Sequence, residues 1–270
     1  MKKLLLIIVV LLNSCSLPDL RERIEIINSF NQKQFIEETY ATPYFEIYSL
    51  SKIKNSGKLI IYIEGDGVSW IDRRTISSNP TPTDPLAFKL AKIDRNDNVV
   101  YLARPCQYTR EGSSNCNNKD IWTVSQYSEA VLSSYTAIID NYSQFKEIHI
   151  VGYSGGAGIA MYLGSINHPK IKSIRTVAGN INHNRLSQLI NISPLDKSIN
   201  FYQVEEESKN TPQVHYFGSA DKVIPRELSL GLKNNNQLNK CIKVKEVNAS
   251  HNEGWELFWS KQHLDLPNCN

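Results

Sequence analysis

Ser154 stands in Gly152-Tyr153-Ser154-Gly155-Gly156, directly after the apolar run Glu147 to Val151 and directly before Ala157-Gly158-Ile159-Ala160-Met161-Tyr162-Leu163. This order reads as strand, sharp turn and helix, with the G-x-S-x-G spacing that lifts a serine hydroxyl above the end of a sheet. Such a turn strains the serine backbone, and neighbours without side chains let strand and helix approach closely. The chemistry it serves is nucleophilic attack by an oxygen. A glycine-rich turn closing an ordinary strand–helix unit shares the spacing, so the rest of the chain must supply the partners.

A serine hydroxyl is a weak nucleophile that needs a base to take its proton and a third group to orient that base. Downstream, Asp221 lies in Gly218-Ser219-Ala220-Asp221-Lys222-Val223-Ile224-Pro225, immediately after the apolar run Gln213 to Phe217. An acid at the C-terminal end of such a strand faces the crevice where these sheets bind ligands. His251, in Ser250-His251-Asn252, follows the run Ile242 to Val247 and precedes a helical pattern. Among the other histidines, His149 and His215 fall inside strand-like runs, His168 precedes a proline and His263 is near the chain end. His183 is the rival base, because it lies in a segment that could overhang the site.

These residues need a scaffold. Tyr44 to Leu50 alternates apolar and polar residues as a half-buried strand does, while Lys58 to Ile63 is a continuous apolar run suited to a strand covered on both faces. The stretches at 98–102, 147–151, 171–177, 213–217 and 242–247 read the same way, with helical patterns at 84–91, 124–142, 154–166 and 227–234 between them. Alternating strands and helices predict an α/β fold with a mainly parallel sheet. Residues 180–210 fit the alternation poorly and are read as a small cap or lid, whose Ile190, Ile192, Leu195, Ile199 and Phe201 would line an acyl pocket.

With the order Ser, Asp, His in hand, the chain from about Tyr44 to His263 resembles the α/β-hydrolase superfamily, and Gly218 to Pro225 resembles that family's acid-bearing loop. The resemblance implies the α/β-hydrolase fold, with helices on both faces of the sheet, and makes Ser154 the nucleophile, Asp221 the acid and His251 the general base. It also implies an oxyanion hole built from the amide of Gly155 and from Asp66 or Gly67 in the loop Glu64-Gly65-Asp66-Gly67-Val68-Ser69-Trp70. Glu64-Gly65 stands where many members carry His-Gly. That departure leaves the main-chain donors in place but puts carboxylates near the site, so Asp66 is expected to point away or to pair with Arg104 or with a residue of the lid. The segment Arg104-Pro105-Cys106-Gln107-Tyr108 resembles one found in secreted and lipoprotein hydrolases of bacteria. Trp70, Arg104, Tyr108, Tyr153 and His183 are candidate pocket residues, although Arg104 and Tyr108 would equally serve to pin a disulfide loop.

At 270 residues, 41% hydrophobic and 21% charged, the chain has the composition of a globular protein with one large core. A formal charge of +3 with scattered Lys and Arg gives no basic stripe, which excludes nucleic acid as the expected partner. Met1-Lys2-Lys3 followed by Leu4 to Leu12 is a secretory signal, and Leu12-Asn13-Ser14-Cys15-Ser16 resembles the lipobox of bacterial lipoproteins. The expected organisation is a signal peptide over 1–14, a tether and N-terminal segment over 15–43 and a hydrolase domain over 44–270, anchored to the cell-envelope membrane by lipid on Cys15. Plain secretion is the alternative. Without Lys2 and Lys3, 28 of the 30 basic residues face 27 acids, so a lipid rather than charge would do the anchoring.

Four further cysteines are an even number in an oxidising compartment. Of the three pairings, Cys106 with Cys116 and Cys241 with Cys269 is preferred because each closes one local unit. No Cys or His cluster has metal-ligand spacing, and no cofactor is expected. The expected activity is that of a serine esterase acting on small or lipid-like acyl substrates. A peptidase, an acyltransferase or an inactive binding lipoprotein would use the same fold.

Overall fold

Runs of β-branched and aromatic residues that are apolar on both faces need cover on both sides, and the chain supplies it with helices. The computed structural model describes residues 17–109 and 114–270. The expected signal peptide and the candidate lipidation site Cys15 therefore lie outside the described residues. From the N-terminus come α1 (Leu20–Asn31), β1 (Ile36–Ala41), β2 (Glu46–Lys52), β3 (Lys58–Ile63), α2 (Leu86–Ile93) and β4 (Val99–Leu102). There follow α3 (Glu129–Asn141), β5 (Glu147–Tyr153), α4 (Gly156–Ser165), β6 (Ile171–Val177), α5 (His183–Leu189) and α6 (Phe201–Glu207). The last elements are β7 (Gln213–Gly218), α7 (Arg226–Asn235), β8 (Ile242–Val247) and α8 (Trp255–Gln262).

Among the described residues one eight-stranded sheet runs in the order β1-β2-β4-β3-β5-β6-β7-β8. The pairings of β1 with β2 and of β2 with β4 are antiparallel, and those from β4 through β8 are parallel. One face carries a core with Tyr127, Tyr135, Ile138, Ile159, Met161, Phe201 and Leu228. The other carries Ile27 of α1, Phe88 and Leu90 of α2, and Trp255 and Trp259 of α8. The chain thus has the α/β-hydrolase architecture. Connections leave β3 toward one side of the sheet and β5 toward the other, and ligands bind at the strand ends where the direction of winding reverses.

Two elements differ from the sequence reading. The stretch expected as a tether is part of the domain: α1 begins with a capping box between Asp19 and Glu22, and its Ile27 is fully buried. Arg23 donates through Nη1 to the carbonyls of Asn79 and Thr81, at 3.1 and 2.7 Å. The edge strand β1 was not legible because Ile36-Glu37-Glu38-Thr39 is exposed throughout and shows no apolar alternation, as suits a strand whose free edge must resist pairing.

Residues 180–210 form α5 and α6, the crossover from β6 to β7, which makes a small helical cap against α4. A parallel pair requires such a long connection. The two disulfides link Cys106 to Cys116 and Cys241 to Cys269, as the cysteine spacing suggested.

Candidate active site

The turn after β5 has the geometry its glycines foretell. Ser154 adopts φ 48°, the left-handed region that non-glycine residues rarely occupy. A Cβ on Gly156 would lie 2.4 Å from the Ile63 carbonyl oxygen, so only glycine allows α4 to start this close to β3. The hydroxyl of Ser154 therefore stands at the C-terminal end of the central strands, beside the loop that follows β3.

His251 reaches this hydroxyl. Its Nε2 is 3.1 Å from Ser154 Oγ, and its Nδ1 is 2.9 Å from Asp221 Oδ2. Asp221 Oδ1 accepts from the amides of Val223 and Ile224 at 2.8 and 3.0 Å. Burial alone would raise this carboxyl, but the bond and charge of His251 together with the two amides outweigh it and hold Asp221 below the usual carboxylate range. The loop bearing His251 is fixed from two sides. Trp255 Nε1 donates to the carbonyls of Ser250 and His251, and Tyr153 Oη donates to Asn252 Oδ1 at 2.6 Å. Three residues separated by up to 97 positions in the chain thus form one continuous hydrogen-bonded relay.

Donors for an oxyanion lie alongside. The amide of Gly155 is at the N-terminus of α4, where helix geometry leaves the first N–H groups without intrahelical acceptors. In the opposing loop the amide of Gly65 is taken by Glu64 Oε1 and that of Val68 by the Pro80 carbonyl, and between them lie the amides of Asp66 and Gly67. Gln107 holds this loop in place: its Nε2 donates to the Gly65 carbonyl at 2.9 Å, and its Oε1 accepts from the Arg104 amide.

The Asp66 carboxylate faces Arg104, as expected, with Nη1 to Oδ1 at 2.9 Å. Arg104 is buried, donates through Nη2 to the Gln126 carbonyl and lies over the Tyr127 ring. Asp66 Oδ1 also lies so near Gly155 that a Cβ there would sit 1.8 Å from it. Arg104 consequently has a positioning task, neutralising the carboxylate beside the oxyanion donors. Neither Gln107 nor Tyr127, which donates to the Gly155 carbonyl at 2.9 Å, was singled out from sequence. A buried glutamine three residues after an arginine carries no signal until the loops are folded together.

A cavity of about 370 Å³ opens onto Ser154 and His251. Its walls include Trp70, Val68, Pro82, Tyr153 and Val223, with Glu64, Asp66, Ser69, Thr83 and Asp84 supplying polar surface. Trp70 and Tyr153 thus lie where the sequence placed them. Tyr108 and His183 do not. Tyr108 is buried against Tyr48 behind the cleft and does not line it, its backbone in the left-handed region at φ 58°. His183 stacks on Tyr127 and packs edge-on to Phe201, and its Nε2 is 2.8 Å from the Ile199 carbonyl. Burial lowers its basicity. It is a core histidine and cannot reach Ser154.

The cap contributes nothing to the cleft wall, contrary to expectation. Phe201 is fully buried in the core beside α4, while Ile190 and Ile192 are exposed. Leu195 and Ile199 pack on the core, and Ile199 lines a separate cavity between α3, α4 and α6.

Glu64 occupies the most unusual environment. It is 1% exposed at the cleft floor, with Oε1 accepting from the amides of Gly65 and Ala87. Burial, only partly offset by those amides and by the Tyr101 hydroxyl, pushes its pKa from 4.5 up to about 7. A raised carboxyl pKa means that the folded state holds the proton more tightly, so the stability it contributes is complete below about 4.5 and is lost as pH rises through about 7. Glu64→Gln keeps the acceptor and removes the titration. Denaturant unfolding should find this variant more stable than the native protein by up to about 3 kcal/mol at about pH 8, with the difference vanishing near pH 4. A variant less stable at the alkaline end would contradict this assignment.

The fold and the hydrogen-bonded Ser–His–Asp relay at its switch point define an α/β serine hydrolase. A sequence profile of the serine hydrolase (FSH1) family matches residues 106–251, and the chain belongs to that family. Among curated proteins, none matches it in sequence. Among solved structures it is similar to an esterase of Pyrococcus furiosus, at 13% identity and a TM-score of 0.57, over 85% of this chain and 90% of that one. It is also similar to an α/β serine hydrolase homologue of Coxiella burnetii, at 16% identity and a TM-score of 0.52, over 83% and 92% of the two chains. A third, an α/β serine hydrolase without lid from Xanthomonas campestris, gives 11% identity and a TM-score of 0.51, over 85% and 93%. At such identities the likeness is one of fold.

Proposed function

We propose that the protein is an esterase that cleaves short or medium acyl esters through an acyl-enzyme on Ser154. The observation that carries this reading is the continuous chain from Ser154 Oγ through His251 to the doubly amide-bonded Asp221. As Oγ attacks the ester carbonyl carbon, His251 Nε2 takes its proton, and the negative charge on the carbonyl oxygen falls to the amide of Gly155 and that of Asp66 or Gly67. His251 then returns the proton to the departing alcohol. A water deprotonated by the same nitrogen attacks the acyl carbon and frees Ser154. Throughout, Asp221 keeps the imidazole in the tautomer that presents Nε2 as acceptor and stabilises the imidazolium.

Acyl length follows from the walls. The cleft offers apolar contact from Trp70, Val68, Pro82 and Val223, interrupted by Ser69, Thr83 and Asp84. Each methylene adds about 0.8 kcal/mol only where an apolar wall meets it. Across p-nitrophenyl esters of graded chain length, kcat/KM should rise over the first few carbons and then level or fall. A continued rise into long-chain esters, or efficient hydrolysis of emulsified triglycerides, would overturn the proposed selectivity. The proposal includes the cell envelope as the site of action, with lipid on Cys15 as the anchor. The two disulfides agree with an oxidising compartment.

A further inference from the structure

At the mouth of the cleft, beside the wall residue Trp70, stand exposed side chains that do not line it, Ile71, Arg73 and Arg74. Between Gly67 and Asn79 the chain makes a hydrogen-bonded turn. Trp70 bridges Ile76, the Ile71 amide donates to the Thr75 carbonyl at 2.8 Å, and the Ser77 amide donates to the Ser69 carbonyl. Asp72 Oδ1 closes the tip by accepting from the amides of Arg74 and Thr75, at 2.7 and 3.0 Å. This turn holds Trp70 and Ile71 in solvent at 47% and 54% exposure. Arg73 and Arg74 beside them are exposed, and neither forms a salt bridge among the described residues. Across the opening Val223, on the acid-bearing loop, is 54% exposed on the wall of the same cleft.

An indole, an aliphatic chain and two guanidiniums held out together satisfy one environment well, the boundary of an anionic bilayer. There Trp and Ile enter the region between headgroups and acyl chains while arginines meet lipid phosphates. A second, independent feature points the same way. Arg23 ties α1 to the carbonyls of Asn79 and Thr81 at the base of this turn, so the N-terminal end of the described chain, with exposed Leu17, enters the domain beside the cleft mouth. We infer that the face around the cleft docks on an anionic lipid surface, with Trp70 and Ile71 inserted and Arg73 and Arg74 on lipid phosphates. The apolar area is small, so the docking is weak and reversible, and it turns the cleft mouth toward the bilayer. This docking does not depend on the ester reading.

The test uses the full-length chain carrying Cys15→Ser, with an environment-sensitive NBD label on Ile71→Cys or, separately, on Leu238→Cys. Leu238 is 97% exposed and lies between α7 and β8, at the opposite end of the sheet. Phosphatidylcholine vesicles containing phosphatidylglycerol should shift the emission of the label at 71 to the blue and leave that at 238 unchanged. Pure phosphatidylcholine should act weakly, and added salt should reverse the shift. With each arginine contributing about a fivefold change in partition, Arg73→Gln/Arg74→Gln should require roughly 25-fold more anionic lipid for the same shift. The label at 71 staying unshifted, equal shifts at both positions, or an unchanged lipid requirement in the double variant would each overturn the docking. A shift at 71 that grows with protein concentration and needs no vesicles would assign the face to a second copy of the chain instead. Fluorophosphonate labelling of the same samples reports on the hydrolase reading alone, so failure of one can be told from failure of the other.

Discussion

Ser154→Ala should lose about 10⁶-fold in kcat while the protein keeps its fold, because the change removes one hydroxyl from a residue whose backbone is held by its neighbours rather than by its side chain. The Ser154 amide donates to the Val177 carbonyl and its carbonyl accepts from the amide of Asn180, and both bonds survive the substitution. Residual turnover of about 10³-fold over water is expected to remain, since the oxyanion donors and the cleft are untouched. Circular dichroism and thermal unfolding should therefore superimpose on those of the native protein. Native-like turnover in this variant would remove Ser154 from the mechanism altogether.

Asp221→Asn should be almost as damaging, at about 10⁴-fold in kcat, although the substitution is isosteric. The carboxylate accepts from His251 Nδ1 through one oxygen and from two backbone amides through the other. An asparagine keeping its oxygen on those amides turns an NH₂ group toward Nδ1, which favours the tautomer with the proton on Nε2 and leaves no acceptor for the serine proton. KM should change far less than kcat, since Asp221 does not line the cleft. A comparable loss in KM with kcat preserved would mean that Asp221 shapes the loop of Val223 rather than the chemistry.

The relay could be read from the chain because each member sits where a strand pattern ends. Ser154 follows β5, Asp221 follows β7 and His251 follows β8, and the apolar runs that announce these strands are long enough to be unambiguous. The lid could not be read in that way. Residues 180–210 are rich in Asn and Ser, a composition shared by surface excursions and by short helices with polar outer faces, and only packing against α4 decides between them. The burial of Phe201 draws α6 onto the core and away from Ser154. Likewise His183 and Tyr108 were selected by type and proximity in sequence, whereas packing of their rings against Tyr127 and Tyr48 decides where they lie. Glu64 was noticed as a departure from a familiar pair, but its consequence depends on burial, which no local pattern reports.

The account rests on Ser154 as the atom that carries the acyl group between its two halves, and that is open to direct measurement. Native protein mixed with a p-nitrophenyl ester and quenched in acid within the first turnover should yield, on peptide mass mapping, one acylated peptide with the acyl group on Ser154. The same peptide should be unmodified in Ser154→Ala. An acyl group on any other residue, or full turnover with Ser154 unmodified at every quench time, would contradict the mechanism derived from this site.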